Sequence, residues 1–96
     1  MLFIINKNSA EIASCIAKAS TDDVVLLIED AVFAVVECDA SPIVQISGSA
    51  SAIYALSADL QARGIGEDAC YKHIKFVDYL GFVELVVNNN PIRSVF

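Results

Sequence analysis

Apolar positions along the chain follow two patterns, short unbroken runs and sets that recur at helical spacing. Leu2-Phe3-Ile4-Ile5 is unbroken and ends in polar Asn6-Lys7-Asn8, which fits a strand covered on both faces. Asn8 then offers an N-cap with Glu11 three residues on, and Ile12, Cys15, Ile16 and Ala19 recur three and four apart, which predicts a helix over 9–19. Val24-Val25-Leu26-Leu27-Ile28 is a second apolar run, held between Asp22-Asp23 and Glu29-Asp30. A short helix over 31–36 is expected after it, with Asp30 as its cap. Ile43-Val44-Gln45-Ile46 fits either a strand or a helical turn, and Ser47-Gly48-Ser49 is a loop in both cases. Ile53-Tyr54-Ala55-Leu56 reads as the next strand, and Ser57 as the cap of a helix over 58–62 that Gly64 ends. Ile74-Lys75-Phe76-Val77 is the last expected strand. Asp78 caps a final helix over 79–87, which Asn88-Asn89-Asn90-Pro91 stops, leaving a tail that ends in Val95-Phe96.

Strands that alternate with helices form a parallel sheet with right-handed crossovers. The expected fold is therefore α/β: a three-layer α/β/α arrangement with a mainly parallel sheet of four or five strands and helices on both faces. Residues 1–96 are expected to form one domain, without repeats or linkers.

Composition adds a partner to this picture. A chain of 96 residues hides only about 60–65% of its unfolded surface. With 56% apolar residues and a mean hydropathy of +0.61, some apolar surface is expected to stay outside, and such patches mark contacts between chains. The uncharged stretch 40–58 is long enough for a membrane span, yet it holds Pro42, Gln45, Gly48 and several serines, so no membrane helix is expected. Ile12-Ala13-Ser14-Cys15 matches the cleavage box of bacterial lipoproteins, but Leu2 to Ile5 is too short an apolar run and no basic segment precedes it. A cytoplasmic chain is expected. A formal charge of −6 with six scattered Lys and Arg argues against direct nucleic-acid binding.

Candidate chemistry is sparse. Cys15, Cys38 and Cys70 are odd in number and form no C-x-x-C pair, which argues against a disulfide framework, a structural zinc site and a thioredoxin-like motif. Gly64-Ile65-Gly66 lacks the third glycine and the strand-to-helix setting of a dinucleotide fingerprint. No metal and no cofactor are expected. Glu29-Asp30, Asp59 and Asp78 fall near the carboxyl ends of strands, where an open parallel sheet places its ligands. A phospho-acceptor cluster would also need acids after the first strand, where this chain has Asn6-Lys7, so Asp30 and Asp78 are read as helix caps. His73 is the single histidine, with Cys70 or Cys15 as its conceivable partner and a solvated loop position as the plainer reading. Cys15 lies about 60° from Ile12 around the predicted helix, at the edge of its apolar stripe. That position suits either a packed or a reachable thiol, so Cys15 is the candidate nucleophile.

Three segments carry a resemblance. Val25-Leu26-Leu27-Ile28-Glu29-Asp30-Ala31-Val32-Phe33-Ala34, Tyr54-Ala55-Leu56-Ser57-Ala58-Asp59-Leu60-Gln61-Ala62-Arg63-Gly64-Ile65 and Val77-Asp78-Tyr79-Leu80-Gly81-Phe82-Val83-Glu84-Leu85 together resemble the DsrH/TusB family. The resemblance covers nearly the whole chain and is most specific in the Asp-Leu-x-Ala-Arg-Gly and Val-Asp-Tyr-x-x-Phe-Val runs. It implies a DsrE/F/H-like fold and the smallest of three related subunits, assembled as a hexamer with two copies of each. The expected partners are TusC/DsrF-like and TusD/DsrE-like subunits, with TusA- and TusE-like sulfur carriers acting through the complex and a homo-oligomer as the alternative for the isolated chain. In the TusBCD branch such a complex relays persulfide sulfur towards 2-thiolation of the tRNA wobble uridine; in the DsrEFH branch it serves cytoplasmic sulfur oxidation. The family places its main sulfur-bearing cysteine on the TusD/DsrE partner. Ser14-Cys15-Ile16 matches the position of a further cysteine in the DsrH branch, which makes Cys15 a persulfide site or, in the other reading, part of a scaffold without chemistry of its own. Ala31 departs from the family's usual glycine, and Val95-Phe96 from a tail in which Trp is common.

Overall fold

In the computed structural model, residues 1–9, 12, 14, 15, 23–36, 52–71, 74–89 and 91–95 are described. Five strands form one sheet: β1 (Leu2–Ile5), β2 (Val24–Leu27), β3 (Ala52–Leu56), β4 (Lys75–Val77) and β5 (Ile92–Val95), in the order β4-β3-β2-β1-β5. Every pairing is parallel, with Leu2 opposite Val24 and Ile92, Val24 opposite Ala52, and Tyr54 opposite Lys75. A strand alternates its side chains between two faces, so this register sorts the apolar runs into two cores. Ile5, Val25, Leu27, Ile53 and Ala55 fill one face, and Leu2, Ile4 and Leu26 fill the other.

The first face is covered by Ile12, by a 3-10 helix (Glu29–Val35) and by α1 (Ser57–Ala62); the second is covered by α2 (Tyr79–Asn88). The expected three-layer α/β/α arrangement is thus present, with all five strands parallel. Ile12, Ser14 and Cys15 are helical, in line with the helix expected there. The Ile43–Ile46 segment, Cys38 and His73 lie outside the described residues.

Four expectations need correcting. The short helix expected over 31–36 is a 3-10 helix that starts two residues earlier and ends at Val35, and its three residues per turn stack Ala31 under Ala34 and Val32 under Val35, burying both pairs while Phe33 stays outside. Asp30 does not cap it: Ile28 occupies that position without a side-chain hydrogen bond, and the Asp30 carboxylate turns to Arg63 instead. Ser57 is the first residue of α1 and not its cap, the cap position being Leu56. The tail is a strand, since β5 docks along β1 and the Leu2 N–H donates to the Pro91 carbonyl (3.0 Å) where the register starts.

Two end signals read correctly. Gly64 stops α1 at φ +69°, with its N–H bonded to the Gln61 carbonyl (3.1 Å) and that of Ile65 to Leu60 (2.9 Å). Asp78 caps α2 by accepting from the Gly81 N–H (2.8 Å). A Cβ at Gly81 would stand 3.0 Å from the Val77 Cβ, so the Val77-Asp78-Tyr79-Leu80-Gly81 run encodes the close approach of α2 to β4 as well as its cap. Among the described residues no helix is long and apolar enough to cross a membrane.

Candidate functional site

The carboxyl ends of β2 and β3 bring together Glu29, Asp30 and Asp59 of the acidic residues singled out in the sequence, while Asp78 caps α2. Leaving β2, Glu29 takes a left-handed conformation (φ 51°), uncommon for a residue with a side chain. Its N–H donates to Asp59 Oδ2 (2.8 Å), tying the start of the 3-10 helix to α1. Arg63, four residues after Asp59, donates from Nε (3.1 Å) and Nη2 (2.9 Å) to Asp30 Oδ1 and from Nη1 to the Asp59 carbonyl (3.2 Å). The guanidinium also stands over the Phe33 ring at 6.0 Å from its centroid. Asp30 and Phe33 are three apart, so the 3-10 period puts both on the outer line of that helix, where one arginine can meet them.

Glu29, Asp30 and Asp59 therefore form a staple between the two elements that cover the first face. Each carboxylate that Arg63 meets already serves a cation or a backbone N–H. Among the described residues no group of three or more His, Cys, Asp or Glu is placed to hold a metal ion. Sequence reasoning quoted Arg63 in its motif without giving it a role. The signal was present in its spacing from Asp59, since side chains four apart share a helix face. Phe33 was missed because the assumed helix hid its outward position.

The thiols stand elsewhere. Cys15 is half-buried on the helical segment after β1 and packs against the first-face core alongside Phe3, Tyr71 and Phe76. Cys70 is buried in that core, with its Sγ donating to the Gly66 carbonyl (3.5 Å). Burial, then the nearby Glu67 and Asp68 carboxylates, push the Cys70 thiol up from its ordinary value, which makes it a poor nucleophile at neutral pH. Cys15 and Cys70 are both outside disulfides. Of the two, Cys15 is the more accessible and the one able to react without opening the core. At the end of β1, Asn6 Oδ1 is buried without a hydrogen-bond donor. Next to it, β1 lies between β2 and β5, reached by connections on opposite faces of the sheet, the topological position where parallel sheets tend to bind ligands.

Comparison with known proteins agrees with this fold. A family model described as DsrH like protein matches residues 7–92. The fold is similar to protein MTH1491 of Methanobacterium thermoautotrophicum, described as of unknown function, at 14% identity and a TM-score of 0.78 over 98% of this chain and 96% of that one. It is similar to the ychN protein of E. coli at 11% identity and 0.75 over 98% and 97%. Protein Tm0979 of Thermotoga maritima, known from a solution NMR structure, follows at 22% identity and 0.67 over 93% and 94%. At these identities the likeness is one of fold. No curated protein matches the chain significantly.

Proposed function

Because the chain belongs to the DsrH-like family, we propose that it is a subunit of a sulfur-relay complex of the TusBCD or DsrEFH kind, supporting persulfide transfer for 2-thiolation of the tRNA wobble uridine. The observation that carries this reading is the family match over residues 7–92, together with the convergence of Glu29, Asp30, Asp59 and Arg63, drawn from two separate motif runs, on one staple. In this reading TusC- and TusD-like subunits are the partners, and the main sulfur-bearing cysteine is on the TusD-like one.

Cys15 is then a secondary sulfur site. Its thiolate attacks the terminal sulfur of a donor persulfide, R–S–SH; the new Cys15 S–S bond forms as the donor S–S bond breaks, and the donor leaves as R–S⁻. The terminal sulfur keeps its proton, no net oxidation occurs, and Cys15 holds S–SH until a second thiolate takes it. A half-buried thiol also supports a second reading, in which the subunit holds its partners and carries no sulfur. Persulfide labelling of the assembled complex with wild-type chain and with Cys15→Ala separates the two. The carrier reading expects label on this subunit in wild type and its loss in the variant. No label on this subunit in wild type, with the partners labelled alike beside wild type and variant, would leave the scaffold. The tRNA branch is tested by 2-thiouridine content after deletion of the gene: unchanged thiolation with impaired sulfur oxidation would assign the other branch.

A further inference from the structure

α2 and β5 follow one another in the chain and are lightly held. α2 lays Phe82, Leu85 and Val86 on the second face, none of them fully buried, while Tyr79, Leu80, Val83 and Val87 stand more than half exposed. The side-chain hydrogen bonds at its two ends close on the helix itself: Asp78 Oδ1 accepts from the Gly81 N–H (2.8 Å), and Asn89 Nδ2 donates to the Leu85 carbonyl (2.9 Å). β5 is an edge strand whose one neighbour is β1, and Ile92, Arg93 and Ser94 are exposed along it. Ile92 is in register with Leu2, which belongs to the core under α2, so helix and strand rest on the same part of the second face. The first-face layer is cross-linked instead. The Glu29 N–H reaches Asp59 (2.8 Å), Arg63 reaches Asp30 (2.9 Å) and the Tyr71 N–H reaches the Val35 carbonyl (3.0 Å), all over a core that is almost fully buried.

We propose that α2 and β5 form a strap that opens and closes over the second face as one unit, while β1 to β4 and the first-face layer stay folded. Topology permits this. α2 is the one helix among the described residues that covers the second face, and β5 lies at the sheet edge, so their departure breaks the β1 to β5 pairing and none of those among β1 to β4. Burial sets where the opening stops, because segments with few buried apolar side chains open at lower free energy than the core. A helix of 10 residues does not persist alone in water, so α2 melts once it leaves the sheet. β5 then keeps only its ladder along β1, with Ile92 stripped of its neighbours on α2, and follows. The hinge is Asp78, extended between β4 and α2 (φ −88°, ψ −174°). Opening frees the edge of β1 and uncovers Leu2, Ile4 and Leu26, whereas the first-face core on which Cys15 packs stays closed.

The proposal is independent of the role of Cys15. It is tested by hydrogen exchange of the full chain at dilute protein, in urea concentrations below the unfolding transition. The hydrogen-bonded amides of α2 and β5 are expected to share one opening free energy and one urea dependence, with protection at least about tenfold below that of β2 and β3. β4 is the control because it is an edge strand too, and its amides paired with β3 should follow β2 and β3 rather than β5. Arg63→Ala loosens only the first-face layer, so it should lower the protection of β2 and β3 about fivefold and leave that of α2 and β5 unchanged. Leu85→Ala should lower the protection of α2 and β5 together; if that variant does not fold, the wild-type pattern and Arg63→Ala decide. Equal protection of β5 and β2, a graded loss along α2 that β5 does not share, or a fall in α2 and β5 with Arg63→Ala would each overturn the proposal.

Discussion

The two faces of the sheet are built from similar strands but finished differently. On the first, the 3-10 helix and α1 bury Ala31, Val32, Ala34, Val35 and Leu60 almost completely, and Arg63 ties the two covering elements together at the rim. On the second, α2 contributes no fully buried residue, and Phe82, Leu85 and Val86 are only partly covered. The first face is complete within one chain; the second leaves an apolar helix in water. Burial stabilises at roughly 25 cal/mol per Å², so the stabilisation available from α2 is realised in full only when something covers it.

Truncation tests this contrast most strongly. Leu60→Ala, at a site 1% exposed, is expected to cost about 2–5 kcal/mol through lost contacts and a cavity. Leu80→Ala, at 68% exposure, is expected to change the stability of the monomer by less than about 0.5 kcal/mol. Urea unfolding at dilute protein gives both values. Comparable losses at the two sites would mean that α2 is packed within the monomer after all, and the contrast between the faces would fail.

The same contrast explains what could be read from the sequence. Strands β1 to β4 and the ends of α1 and α2 were legible because unbroken apolar runs, Gly64 and Asp78 act locally: a left-handed turn and a carboxylate cap need no distant partner. β5 was not legible, since Ile92-Arg93-Ser94-Val95 acquires strand geometry from the neighbouring β1 and follows a Pro that reads as an ending. The 3-10 helix was hidden because Ala31-Val32-Phe33-Ala34-Val35 satisfies three-residue and α-helical spacing over so short a span. Cys15 was located correctly as a helical thiol, but its half-burial depends on the first-face core it packs against, which is gathered from distant parts of the chain. The staple needed Asp30 and Arg63, 33 residues apart, to meet.

That staple offers the next test in size. Arg63→Ala removes the fork on Asp30, the bond to the Asp59 carbonyl and the stacking on Phe33, and about 1 kcal/mol of stability is expected to go with them. The figure stays modest because Asp30 is largely exposed, and water screens such a pair. Arg63→Lys should recover little, since a point charge cannot span two acceptors and a ring in one plane. Full recovery with lysine in urea unfolding would show that charge alone, and not the planar fork, joins the 3-10 helix to α1.

The smallest expected effect is a dependence on pH that belongs to the finished face. Cys70 lies in that core with its thiol pushed above the ordinary 9.0 by burial, then by Glu67 and Asp68. Below about pH 8 the thiol is protonated in both the folded and the unfolded chain and adds no slope. Above it the unfolded chain releases the proton while the folded one still holds it, so the folded state binds more protons and stability falls as pH rises towards the folded value. Cys70→Ala removes this group, and its unfolding midpoint should therefore decline less than that of wild type between about pH 8 and pH 10. Cys15 serves as the contrast, a thiol only half-buried, which an alkylating reagent should modify before Cys70 in the folded chain. Parallel declines for wild type and Cys70→Ala, or equal alkylation of the two thiols, would show that the core around Cys70 opens readily, and the first face would then be no more closed than the second.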